Sequence, residues 1–131
     1  MVEDFQKYLK QRHFDKTLKR YIKKFEGKKI VVYGTGMLFE AITKNYDLSG
    51  LNIIAVSDRK YAATKPDKYL GFETVAPDNI KDLQPDVVLV GVLRTVAVIE
   101  NLRYELLADT GIKVLPLVDR KLLEILKEIW Y

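Results

Sequence analysis

The sequence has no cysteine and a single histidine, His13. Without cysteine there is no disulfide framework, no thiol nucleophile and no cysteine-ligated zinc. One imidazole leaves little from which to build a histidine-based metal site. Long apolar runs are missing too, and none approaches the roughly 18 residues that suggest a membrane span. Where a secretory leader would be apolar, the N-terminal stretch carries Glu3, Asp4 and a series of lysines. These absences predict a cytoplasmic protein with no transmembrane segment.

At 131 residues the chain is one domain, or one domain with an appended helix. A chain of about 150 residues buries roughly 70% of its unfolded surface, so a real core is within reach. The net charge of +4 is unevenly placed. Residues 1–29 hold ten Lys or Arg against four Asp or Glu, and residues 30–131 hold twelve against fourteen. The basic character therefore belongs to the N-terminal arm. Residues 1–27 are expected as a basic amphipathic helix and residues 28–131 as the domain proper.

Within that arm, residues 4–25 place Phe5, Leu9, Leu18, Tyr21, Ile22 and Phe25 at roughly helical spacing between lysines and arginines. Gly27 ends the helix. The run Lys29-Ile30-Val31-Val32-Tyr33 reads as a first strand, and its continuous apolarity points to burial on both faces of a parallel sheet. A helix is expected over Met37–Tyr46, then a second strand over Asn52–Ser57 and a polar loop over residues 59–70. A short third strand over Phe72–Val75 precedes a brief helix opened by Pro77. The fourth strand is Val87–Val90, followed by a helix from Thr95 to Ala108 that Gly111 stops. Lys113–Leu117 is the fifth strand, and Pro116, which cannot donate to a ladder, assigns it to an edge. A last helix is expected after Asp119 as N-cap, burying Leu122, Leu126 and Ile129. Strands and helices in this alternation predict an α/β fold: a Rossmann-like, doubly wound parallel sheet of order 3-2-1-4-5.

Gly34-Thr35-Gly36 falls after the first strand and before a helix, where a phosphate-binding turn belongs. The first glycine permits the tight turn and the second lets backbone amides approach a pyrophosphate. The helix N-terminus at Met37 and Leu38 adds a favourable partial charge. Asp58 lies 22 residues past Gly36, about where a carboxylate would accept hydrogen bonds from a ribose hydroxyl. Arg59 and Lys60 follow it and are candidates for a ribose phosphate or for solvated loop charges. Gly91-Val92-Leu93-Arg94 follows the fourth strand, across the switch point, with Arg94 a candidate phosphate contact. The third glycine of G-x-G-x-x-G is replaced by Phe39, so the helix must stand off from the strand or the ring must turn aside.

Several segments together resemble a Rossmann-like module of bacterial polysaccharide and sugar-nucleotide enzymes. They are Val31-Val32-Tyr33-Gly34-Thr35-Gly36, Val56-Ser57-Asp58, Gly71-Phe72-Glu73-Thr74-Val75 with Ala76-Pro77-Asp78-Asn79-Ile80, and Pro85-Asp86-Val87-Val88-Leu89-Val90. Such modules occur as N-terminal domains of sugar-modifying acetyltransferases, in relatives of nucleoside-diphosphate-sugar epimerases and dehydratases, and attached to methyltransferases. The NAD-binding domain of redox-sensing repressors and the coenzyme A-binding domain are similar in outline. Over about residues 28–118, the resemblance implies binding of NAD(P), coenzyme A or a UDP-sugar through Gly34, Gly36 and Asp58. It implies a module that is non-catalytic alone and linked to sugar-nucleotide or polysaccharide metabolism, or at most one subunit of an enzyme.

Other features are weaker. Tyr61-Ala62-Ala63-Thr64-Lys65 spells the tyrosine–lysine pair of short-chain dehydrogenases, but Pro66 biases Lys65 away from helical angles, and the spacing is read as chance. His13 has no nucleophile to serve, and Glu124 with Glu128 reads as a solvated face. Lys7, Lys10, Lys16, Arg20, Lys23 and Lys24 could track phosphates or an anionic membrane. Packing or dimerisation through the helix's apolar stripe is the favoured reading, with nucleic acid the less favoured partner. The alternative function is an interaction protein built on a vestigial Rossmann scaffold. A second copy of the chain or a catalytic partner protein are the protein partners such surfaces offer.

Overall fold

Four short runs of apolar, mostly β-branched residues form one parallel sheet. The computed structural model describes residues 2–119 and, of their side chains, those from Phe5 on. The expected helix after Asp119, with Leu122, Leu126 and Ile129, lies outside the described residues. Helices α1 (Val2–Gln11) and α2 (Phe14–Lys24) precede strand β1 (Ile30–Tyr33), helix α3 (Met37–Asn45) and strand β2 (Ile53–Ser57). A hairpin of β3 (Lys68–Tyr69) and β4 (Phe72–Glu73) follows, then β5 (Val87–Val90), α4 (Thr95–Asn101) and β6 (Lys113–Pro116). Short 3-10 helices span Arg59–Ala62 and Pro77–Leu83.

The sheet runs in the order β2-β1-β5-β6, and every pairing in it is parallel. All four residues of β1 and of β5 are buried, as expected for central strands covered on both faces. Alternate residues serve opposite faces. Ile30, Val32, Val87 and Leu89 pack with Leu9, Phe14, Leu18 and Ile42 from α1, α2 and α3 and with Phe25 at the end of α2. Val31, Tyr33, Val88 and Val90 pack with Ile80, Leu102 and Leu107 on the other side. The edge position of the last strand agrees with Pro116, which is paired to Val90 at the end of the ladder.

The structure departs from the sequence-based expectations at four places. The N-terminal arm is two helices rather than one over residues 4–25. His13 takes a left-handed conformation, φ 51 and ψ 47, and caps α2. Leu9 and Phe14 are five residues apart, so an unbroken helix would set them about 140° apart around its axis. The break re-phases the chain so that both become fully buried. The expected third strand, Phe72–Val75, does not extend the sheet as a full strand. Its first half pairs with β3 in an antiparallel hairpin, and its end meets the sheet in one parallel bridge, Val56 with Thr74. The expected loop over residues 59–70 contains a 3-10 helix and β3. The expected helix over Thr95–Ala108 stays α-helical only to Asn101 and finishes in a π turn, Leu102–Leu106. There the Leu107 N–H donates to the Leu102 carbonyl, 2.8 Å away. That widened turn lets Leu102 and Leu107 both face the core.

Candidate functional site

The site is built where β1 leaves the sheet. Pairing of Tyr33 with Ser57 at the ends of β1 and β2 sets the following residues side by side. The Gly34 N–H donates to the Ser57 carbonyl at 2.8 Å, and on the other flank the Gly91 N–H donates to the Tyr33 carbonyl, also at 2.8 Å. The turn is thus tied to both neighbouring strands before α3 begins.

The two glycines of the turn have different reasons to be glycine. Gly34 has φ +114, and a Cβ there would stand 2.6 Å from Val92 Cγ1 and 3.1 Å from the Gly91 carbonyl oxygen. Gly36 has an extended backbone, φ −86 and ψ −159, that any residue adopts, and a Cβ there would meet nothing within 4 Å. Gly36 is exposed and is the N-cap of α3, with no side chain capping the helix. The N–H groups of Gly36, Met37 and Leu38 have no acceptor among the described residues, as expected for the open first turn of a helix. The Met37 side chain is exposed and that of Leu38 is buried in the core, so Leu38 offers the site only its backbone.

Asp58 reaches into the turn. Its Oδ2 accepts from the Thr35 N–H at 2.8 Å and from Thr35 Oγ1 at 3.0 Å. Its Oδ1 accepts from the Lys60 N–H at 3.1 Å. Burial alone would raise this carboxyl, but the hydrogen bonds from Thr35 and Lys60 outweigh it and hold Asp58 below its ordinary value. Next to Asp58 in the chain, the Ser57 hydroxyl is buried without a hydrogen-bond partner.

A cleft of about 490 Å³ opens beside the turn at the carboxyl end of the sheet. Its lining includes Tyr33, Gly34, Asp58, Arg59, Asp78 and Asn101. Apolar surface comes from Val92 and from Val98 and Leu106 of the α4 segment. The Tyr33 phenol is raised, first by burial and then by the Asp58 carboxylate, with Arg59 opposing. Of the residues singled out in the sequence, Gly34, Asp58 and Arg59 line this cleft, and Thr35, Gly36, Met37 and Leu38 form its neighbouring turn. Gly91 is buried behind the turn, where a Cβ would lie 3.3 Å from Leu117 Cδ2. Arg94 is exposed at the N-cap of α4 and does not line the cleft. Tyr33, Asp78 and Asn101 were not singled out as site residues, although Tyr33 and Asp78 lie in segments that carry the resemblance. Tyr33 had one available signal, its position immediately before the turn. Asp78 and Asn101 come to the cleft only through tertiary folding.

The tyrosine–lysine pair lies after β2, away from any long helix. Tyr61 is buried in the 3-10 helix, and Lys65 Nζ donates to Thr74 Oγ1 at 3.3 Å. Among the described residues, no group of three His, Cys, Asp or Glu could hold a metal ion, and no helix is long and apolar enough to cross a membrane.

Fold and site together define an α/β protein with a cleft at the carboxyl end of a parallel sheet. Residues 26–113 match the family described as C2185-like, N-terminal, and the chain belongs to that family. No curated protein and no solved structure matches it.

Proposed function

We propose that the chain is a nucleotide-binding module on a Rossmann-like sheet of order 3-2-1-4-5, a reading that the single parallel bridge of Val56 with Thr74 supports. The ligand is of the NAD(P), coenzyme A or UDP-sugar type. Its phosphates lie on the N–H groups of Gly36, Met37 and Leu38, and its nucleoside fills the cleft beside Asp58 and Arg59. The observation that carries this reading is Gly36. Neither its backbone nor its surroundings require glycine, yet absence of a side chain there leaves open the first turn of α3, where anions are stabilised. The module is non-catalytic by itself and works with a partner in sugar-nucleotide or polysaccharide metabolism, a context taken from the sequence resemblance alone.

The test is a thermal-shift panel with NAD, NADH, NADP, coenzyme A and UDP-sugars. A ligand at about 100 times its dissociation constant stabilises by roughly 2.7 kcal/mol, or about 2–8 °C in a domain of this size. A shift with one class that Gly36→Val abolishes supports the reading, and a flat panel counts against it.

A second reading rests on α2. Its apolar stripe, Phe14, Leu18 and Tyr21, is spent in the core. Lys16, Lys19, Lys23 and Lys24 are exposed on its outer side, and none has an ion pair among the described residues. A basic face of this kind suits a polyanionic partner. Binding to nucleic acid or anionic vesicles that charge reversal at Lys23 and Lys24 removes, with a flat ligand panel, would favour it.

A further inference from the structure

We propose that Asp58 is a positioning residue for the phosphate turn, acting through Thr35 rather than on a ribose; this rests on the nucleotide-binding reading above. Spacing alone places a carboxylate at the end of β2, facing the ribose. The geometry gives that carboxylate other work. Both the N–H and the hydroxyl of Thr35 converge on one oxygen, Oδ2, at 2.8 and 3.0 Å, while Oδ1 takes the Lys60 N–H at 3.1 Å. A carboxylate offers about four acceptor sites, so these three bonds commit most of them before a ligand arrives.

Thr35 is 2% exposed, and Asp58 supplies the acceptor for its N–H. Without that acceptor the Thr35 N–H would be left unpaired in a buried place, a costly arrangement. Thr35 would then move to find another partner, and Gly36, Met37 and Leu38 would move with it. Gly34, pinned by Ser57 on one side and crowded by Val92 on the other, cannot absorb that motion. Asp58 therefore sets the direction in which three free N–H groups point. It also places a negative charge behind the turn, so it orients the phosphate donors without adding attraction for phosphate.

The two roles separate with a ligand that has no ribose. Binding of ADP, UDP and inorganic pyrophosphate would be measured by calorimetry for the wild type, Thr35→Val, Asp58→Ala and Asp58→Asn, with a thermal melt for each. Positioning through Thr35 predicts that Asp58→Ala, which takes the acceptor from both Thr35 donors, weakens pyrophosphate and the bound nucleotide alike, by about tenfold, and that Thr35→Val, which keeps the N–H bond and loses only the hydroxyl bond, weakens both by less. The double variant loses little more than Asp58→Ala alone. Asp58→Asn keeps an oxygen acceptor for Thr35 and drops the charge, so it retains affinity within about threefold. If Asp58→Ala does not fold, Thr35→Val and Asp58→Asn carry the same contrast. A loss confined to ADP or UDP, with pyrophosphate and Thr35→Val unaffected, would overturn the inference and leave the nucleotide reading standing. If the wild type binds none of the three, both are overturned.

Discussion

Gly34 lies so close to Val92 that a Cβ on the glycine would stand 2.6 Å from Val92 Cγ1. This contact joins the turn after β1 to the segment after β5, and it makes Gly34 a structural glycine. Gly34→Ala would add this clash to a backbone at φ +114. A loss of about 2–3 kcal/mol in urea melts is expected.

Gly36→Ala should behave in the opposite way. Its backbone is already acceptable to alanine and its Cβ meets nothing. Stability in the same melts should stay level or rise by up to about 1 kcal/mol, through a less flexible unfolded chain. Ligand affinity should fall by tenfold or more, because the methyl stands at the mouth of the donor turn. Equal destabilisation by the two substitutions would remove the distinction between them.

The sheet was legible because its strands are short, apolar and β-branched, and because Pro116 can sit only at an edge. The same local signal failed at His13, Leu70 and Gln84, which take positive φ values of 51, 49 and 51 although none is glycine. All three are exposed, His13 and Gln84 at helix caps and Leu70 in the tight turn between β3 and β4, where the turn geometry rather than the residue's own preference demands a positive φ. At the site, the turn and Asp58 could be read from spacing, since parallel neighbours end at the same level. What Asp58 touches could not, because spacing places a carboxylate without saying which donor reaches it first. Much of the cleft comes from α4 and the 3-10 helix at Pro77, elements legible as helices but with nothing in them to mark a site.

Phe39 stands where the dinucleotide motif has its third glycine, and its ring joins the core beneath α3 beside the rings of the β3–β4 hairpin. It is fully buried, with its centroid 5.8 Å from that of Phe72 and 6.4 Å from that of Tyr69. The β3–β4 hairpin therefore depends on it. Phe39→Ala should cost about 3–5 kcal/mol, and hydrogen exchange should show the hairpin amides losing protection. If the hairpin amides stay protected, the rings are neighbours without being partners.

Acid should loosen the turn. The Asp58 carboxyl lies below its ordinary value of 3.8 in the folded state, so the folded protein holds its proton less tightly than the unfolded chain. Its contribution to stability is then complete above the ordinary value and disappears as pH falls through the lower, folded one. Urea melts at pH 7 should show wild type more stable than Asp58→Asn. The difference should shrink steadily below about pH 4. A gap that is independent of pH would mean that the charge on Asp58 contributes nothing and that only its hydrogen-bond geometry matters.

The outer edge of β6 is closed by side chains. Arg103 Nη2 donates to the Val114 carbonyl at 2.7 Å and the Tyr21 hydroxyl to the Pro116 carbonyl at 2.7 Å, while Pro116 has no N–H to offer. An edge with its acceptors taken and a donor missing is a poor template for another strand. Tyr21→Phe and Arg103→Ala should each cost about 1 kcal/mol, and together they should uncover two carbonyls on that edge. Sedimentation of the double variant at rising concentration should show association that neither the wild type nor the single variants share. Association of the wild type that is unchanged in the double variant would place any dimer contact elsewhere, because sheet extension through β6 requires those two carbonyls to be free.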